Sequence, residues 1–284
     1  MVDIAIVGKG PAGWSCAMTA RLRGLSATVI APREDITWLR RAERIENYPG
    51  LPQASGSEML HAFARQALAL GAKEREGLVR QIMPNGNTFM LLVENDVLES
   101  RTVVLATGAA RPSLLPGEEA AVGRGVSYCA TCDGMFYKGK RVAVLSATGQ
   151  GAEETEFLAK IATEVDYYFL QKHSVEALGP LVRPMPGKPV GIEQWGRELA
   201  VKTSEGEVVY DGVFIFRAAM PLELLLSELH TEEGFIATDR MMRTNIPGLF
   251  AAGDCAGRPL QIAKAVGEGN IAAISAAEYL SKHG

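Results

Sequence analysis

Short apolar runs bounded by glycine punctuate this chain, and each predicts a buried strand. The first, DIAIV at residues 3–7, leads directly into Gly8-Lys9-Gly10-Pro11-Ala12-Gly13 and then into a helical pattern through WSCAMTARLRG at 14–24. Further runs follow at SATVIAPRE (26–34), VVLATGAARP (103–112), VAVL (142–145), EVDYY (164–168) and TNIPGLFAAGD (244–254), and the last helical pattern is AAISAAEYLSKHG (272–284). Strands alternating with helices predict an α/β protein. Two strand-loop-helix openings, at 3–24 and 141–159, predict two doubly wound dinucleotide-binding-type domains of three-layer character, the second inserted in the first. The boundaries read as 1–113 and 243–284 for the first domain and 114–242 for the insertion.

The first opening has the order that a dinucleotide loop requires. Gly8 permits the tight turn, Gly10 lets backbone approach a pyrophosphate, and Gly13 allows helix to pack closely on strand. The helix start, with Pro11 and Ala12, then turns its partial positive charge toward the phosphates. The second strand lacks the acidic residue of an NAD site, because Ala31 and Pro32 stand there. Thr107-Gly108 and Gly253-Asp254 end two further strands, and with the glycine loop they resemble the FAD-binding flavoproteins with two dinucleotide domains. That resemblance implies that Asp254 accepts a hydrogen bond from the ribityl chain, and that a helix starting near Gln261 and Ile262 points at the flavin ring. A plain helix cap is the other reading of Asp254.

Composition narrows the setting. At 284 residues, 47% hydrophobic, 22% charged and a net charge of −4, nothing points to nucleic acid or membrane as main partner. The amino terminus shows no basic leader and no apolar run is long enough for a bilayer, so a cytoplasmic enzyme is expected. The four cysteines suit neither a disulfide framework nor a four-ligand zinc site, and no metal is expected. Cys129 and Cys132 have the C-x-x-C spacing that closes a small disulfide ring and lowers one thiol pKa, so catalytic exchange is the expected chemistry. Cys16, Cys255 and Trp14 read as packing residues.

CATCDG at 129–134, followed by a strand within 136–145, together with the early glycine loop, ENYPG at 46–50 (which carries Asn47) and FAAGD near the end, is similar to the low-molecular-weight thioredoxin reductases over nearly the whole chain. The resemblance implies FAD as cofactor and thioredoxin as partner. It places Cys132 against the flavin, gives Cys129 the attack on the partner, makes Asp133 the proton donor or acceptor, and implies a homodimer in which the small domain rotates. EDITWLRRAER (34–44) replaces the family's usual Gly-Gly-Gln-Leu segment, so flavin contacts from that loop are not carried over.

The second opening departs from that family. Ser146-Ala147-Thr148-Gly149-Gln150-Gly151 puts side chains where backbone alone fits a pyrophosphate. A shifted reading puts Glu154 at the third glycine, where it is expected to crowd the packing or repel phosphate. Phe169-Leu170-Gln171-Lys172-His173 stands where two arginines and a histidine are expected for the 2′-phosphate of NADPH. An unusual loop binding NADPH by other contacts, and a flavin-dependent dithiol oxidase, stay open. These missing motifs and RPLQIAKAVGEGN (258–270) resemble the ferredoxin-dependent flavin thioredoxin reductases, which implies reduced ferredoxin as electron donor. Arg40, Arg41 and Arg44, with Arg240 and Arg243, read equally as a docking surface for that acidic partner or as a solvated face.

Overall fold

The computed structural model describes residues 1–33, 38–108, 114–173, 178–217 and 222–283. The chain divides into two units, Met1–Arg111 with Ala219–Gly284, and Pro112–Ala218.

The first unit opens with β1 (Val2–Val7), α1 (Pro11–Leu22), β2 (Ala27–Ala31), α2 (Gly56–Ala69), β3 (Lys73–Glu76), β4 (Val79–Asn85), β5 (Thr88–Val93) and β6 (Asp96–Leu105). Its sheet runs β3-β2-β1-β6-β5-β4. Alternation along β1 divides the core, as a period of two requires: Ile4 and Ile6 face α1 and α2, while Ala5 and Val7 face the other side with Phe89, Leu91 and Leu105. The first half of β6 pairs antiparallel with β5, and the second half pairs parallel with β1. Pro11 suits the first position of α1, and Ser55 and Glu58 close a capping box on α2.

The second unit holds β7 (Val126–Ser127), β8 (Arg141–Ser146), β9 (Glu164–Phe169), β10 (Val182–Pro184), β11 (Pro189–Trp195), β12 (Glu198–Thr203), β13 (Gly206–Tyr210) and β14 (Gly212–Phe216), with the short helices α3 (Glu118–Ala121) and α4 (Ala130–Asp133) and the longer α5 (Gln150–Ala159). A parallel sheet ordered β10-β9-β8-β14-β7 is covered on one face by α5 and on the other by the antiparallel meander β11-β12-β13. The outer layer is thus strand rather than helix. The strand expected within 136–145 begins only at Arg141, because Gly134–Tyr137 forms a 3₁₀ turn.

The chain then returns to the first unit through α6 (Leu222–Leu225), β15 (Thr231–Glu232), β16 (Phe235–Ile236), β17 (Leu249–Ala251) and α7 (Ile262–His283). β17 pairs parallel with the second half of β6. The expected boundary at 242 is therefore too late. Leu225, Leu226, Leu229 and Ile236 bury themselves with Leu105 and Leu249 in the first unit's core.

Candidate active site

Three loops converge at the carboxyl ends of β1, β6 and β17. A Cβ on Gly8 would lie 2.1 Å from the Ala106 carbonyl oxygen, and one on Gly13 would lie 2.0 Å from the Gly8 carbonyl oxygen, so neither position tolerates a side chain. Gly8 also has a positive φ of 118°. Around Gly10 the same construction meets nothing within 4 Å, which leaves backbone open to a ligand. Gly10 caps α1 with no side-chain acceptor. Among the described residues the amides of Ala12 and Gly13, in the first turn of α1, find no acceptor, so they stand ready for an anion. Gly269 of α7 passes so close to Ala12 that a Cβ would lie 2.1 Å from the Ala12 carbonyl oxygen.

Gly253 and Asp254 sit beside this loop. The Gly253 N–H donates to Glu268 Oε2 at 2.9 Å, and Lys264 Nζ donates to the Gly253 and Gly257 carbonyls at 2.9 and 2.6 Å. The Asp254 carboxylate is half-buried and accepts no hydrogen bond among the described residues. Burial raises its pKa, and Glu268 adds to the rise while Lys264 opposes it. A half-buried carboxylate with no donor among the described residues leaves its oxygens open to a ligand hydroxyl. Asn47 Nδ2 donates to Gln261 Oε1 at 3.0 Å, which joins two predicted residues that lie far apart in sequence. Ile262 starts α7, and Thr107 and Gly108 follow β6. Cys255, Cys16 and Trp14 are buried, as packing residues should be.

The redox motif is built on α4. Cys129 and Cys132 form a disulfide with Cα atoms 5.3 Å apart. Cys129 is the N-cap, and its sulfur accepts the Cys132 N–H at 3.1 Å. Ser127 Oγ donates to Asp133 Oδ2 at 2.7 Å and accepts the Cys129 N–H at 3.1 Å, which fixes the carboxylate beside the pair. Cys132 is exposed whereas Cys129 is 7% exposed. Met135 and Phe136 follow as exposed apolar side chains.

The second glycine loop is closed on itself. Buried Ser146 donates from Oγ to the Thr148 carbonyl at 2.8 Å and accepts the Thr148 N–H at 3.3 Å. The amides of Ala147, Gly151 and Ala152 donate to Phe216, Thr148 and Gly149 carbonyls. Gly151 survives as the third glycine, because a Cβ there would strike Ser146 Oγ at 2.1 Å. Glu154 neither crowds that packing nor faces the loop: its carboxylate accepts the Ala130 N–H at 3.1 Å. His173 bonds Tyr167 and the Gln171 carbonyl through its two ring nitrogens, a partnership that the sequence did not reveal. Arg141 and Arg183 are held by Glu164 and the fully buried Asp166.

The family model for pyridine nucleotide-disulphide oxidoreductases matches residues 2–269. Thioredoxin reductase of Helicobacter pylori (strain J99) is 32% identical over all of both chains. The crystal structure of a ferredoxin-flavin thioredoxin reductase from Clostridium acetobutylicum is 36% identical, with a TM-score of 0.88 over 99% of this chain and 98% of that one. A thioredoxin reductase from Gloeobacter violaceus is 30% identical, with a TM-score of 0.82 over 99% and 95%. A glycine cradle, a redox disulfide and these likenesses along the full chain lead to one assignment: the chain belongs to the pyridine nucleotide-disulphide oxidoreductase family, in its low-molecular-weight thioredoxin reductase branch, whose members bind FAD.

Proposed function

We propose that this protein passes electrons from reduced ferredoxin, through FAD and the Cys129–Cys132 disulfide, to thioredoxin, and that NADPH is not its donor. The observation that carries this reading is the contrast between the two loops. At 8–13 the amides of Ala12 and Gly13 at the helix start are open, whereas in the second loop those of Thr148, Gly151 and Ala152 are spent on Ser146 and on the chain's own carbonyls. A pyrophosphate there would have to break those bonds, and each is worth roughly 0.5–1.5 kcal/mol. No arginine pair follows β9 to hold a 2′-phosphate. Likeness to the ferredoxin-flavin enzyme supports the same donor.

Gly8, Gly10, Pro11, Ala12 and Gly13 would hold the pyrophosphate of FAD, with Thr107, Gly108, Gly253 and Asp254 along its chain and Asn47, Gln261 and Ile262 at the ring end. When bound, FAD supplies a carrier that accepts electrons singly and delivers them in pairs. Two electrons and two protons open the Cys129–Cys132 bond to two thiols. Cys129 then attacks the thioredoxin disulfide as a thiolate and forms a mixed disulfide. Cys132, the sulfur that the family resemblance sets against the flavin, displaces it, which restores the Cys129–Cys132 bond and releases thioredoxin with two thiols. The place of Cys129 at the N-cap, with the Cys132 N–H on its sulfur, favours the thiolate that this attack needs. Asp133 exchanges the proton, and Met135 with Phe136 gives the partner an apolar contact.

Steady-state assays test the reading. Thioredoxin reduction should proceed with ferredoxin kept reduced by a chemical or enzymatic source, and should be absent with NADPH at millimolar concentration. Turnover with NADPH alone would refute it.

A further inference from the structure

The helix that follows the closed loop reaches the redox motif. α5 and the turn after α4 pack so tightly that a Cβ on Gly134 would lie 3.0 Å from Phe157 Cε1 and Ile161 Cδ1. Glu154, on the same helix, accepts the N–H of Ala130, the first residue of α4. Two acceptors therefore share one helix start: the Glu154 carboxylate, and the sulfur of the N-cap Cys129, which takes the Cys132 N–H. The other carboxylate on this turn, Asp133, is held by Ser127.

Opening the disulfide places negative charge on that N-cap sulfur. The helix start and the Cys132 N–H favour the thiolate, whereas a carboxylate bonded to the adjacent amide opposes it. We propose that Glu154 is a positioning residue for the redox pair, which fixes the backbone of Ala130 and by its charge biases the pair toward the disulfide. A disulfide favoured in this way makes the dithiol the stronger reductant, as delivery of electrons to another disulfide requires. The inference rests on Cys129–Cys132 as the redox pair and not on the identity of the electron donor.

The test compares Glu154→Gln, which keeps an acceptor for the Ala130 N–H and removes the charge, with Glu154→Ala, which removes both. Purified FAD-loaded protein is equilibrated anaerobically in dithiothreitol redox buffers near pH 8, and the dithiol fraction is read by alkylation and mass. Both variants should shift the equilibrium about threefold to tenfold toward the dithiol, where a factor of ten is ~30 mV. The Glu154→Gln variant should keep the wild-type flavin spectrum and melting temperature. An equilibrium for Glu154→Gln that matches wild type, or that moves toward the disulfide, overturns the proposal, since a purely structural cap would leave the Gln variant unmoved. Failure of Cys129–Cys132 to exchange in any form, wild type included, would instead strike the reading of the pair itself.

Discussion

Asp254 is held at a disadvantage by its own surroundings. Burial and the Glu268 charge raise its pKa, with only Lys264 opposing. A group whose pKa rises on folding stabilises the fold below its unfolded value and loses that contribution as pH climbs through the folded one, so at neutral pH its carboxylate costs stability. Asp254→Asn should therefore raise the melting temperature of the FAD-free protein. The same change should weaken FAD binding about tenfold or more, since a hydrogen bond to a charged group is worth roughly 1.5–3 kcal/mol. Calorimetric melting and FAD titration check the two halves. The cysteines separate just as cleanly. With a thioredoxin that lacks its second cysteine, Cys132→Ser should accumulate a mixed disulfide through Cys129, and Cys129→Ser should not, as non-reducing gels would reveal. Gly8 and Gly13 were legible in the sequence because their task is local. The bond from the Cys132 N–H to the Cys129 sulfur was not, because spacing says nothing of the short helix that starts there.

Among the elements, β9 carries a fully buried charge. Asp166 has no exposed surface, yet it accepts hydrogen bonds from Arg183, Arg141 and the Tyr210 hydroxyl. Burial alone would raise its pKa, but the bonds from Arg183 and Tyr210 outweigh it and the pKa is lowered. A lowered value gives stability that is present above the unfolded carboxylate range and lost as pH falls through and below it. Asp166→Asn should thus cost about 3–5 kcal/mol at pH 7, the usual effect of breaking a buried pair. The gap to wild type should narrow below about pH 4. Denaturant titrations at pH 7 and pH 3.5 measure both. This cluster was invisible in the sequence, as was the ion pair of Glu118 with Arg217, whose partners lie 99 positions apart. The strands themselves were readable from their apolar runs, and the closed loop after β8 from its missing glycines.

At the scale of the molecule, the sequence placed an insertion within a dinucleotide-binding unit but set its far boundary by the FAAGD motif. The return begins earlier, on leucines that carry no motif and declare themselves only by the core they enter. The expected basic surface is also less available than its arginines suggested. Arg44 pairs with Glu46, and Arg243 with Glu278 and Asp239. Trp38 and Arg41 carry side chains outside the described set, and residues 34–37 lie outside the described residues. The central claim is that one glycine loop is open to a dinucleotide and the other is shut. Anaerobic titration of the FAD-loaded protein, followed by flavin absorbance, tests it directly. Added NADPH should leave the flavin band unchanged, and reduced ferredoxin should then bleach it and open the Cys129–Cys132 disulfide. Prompt bleaching at micromolar NADPH would contradict the account.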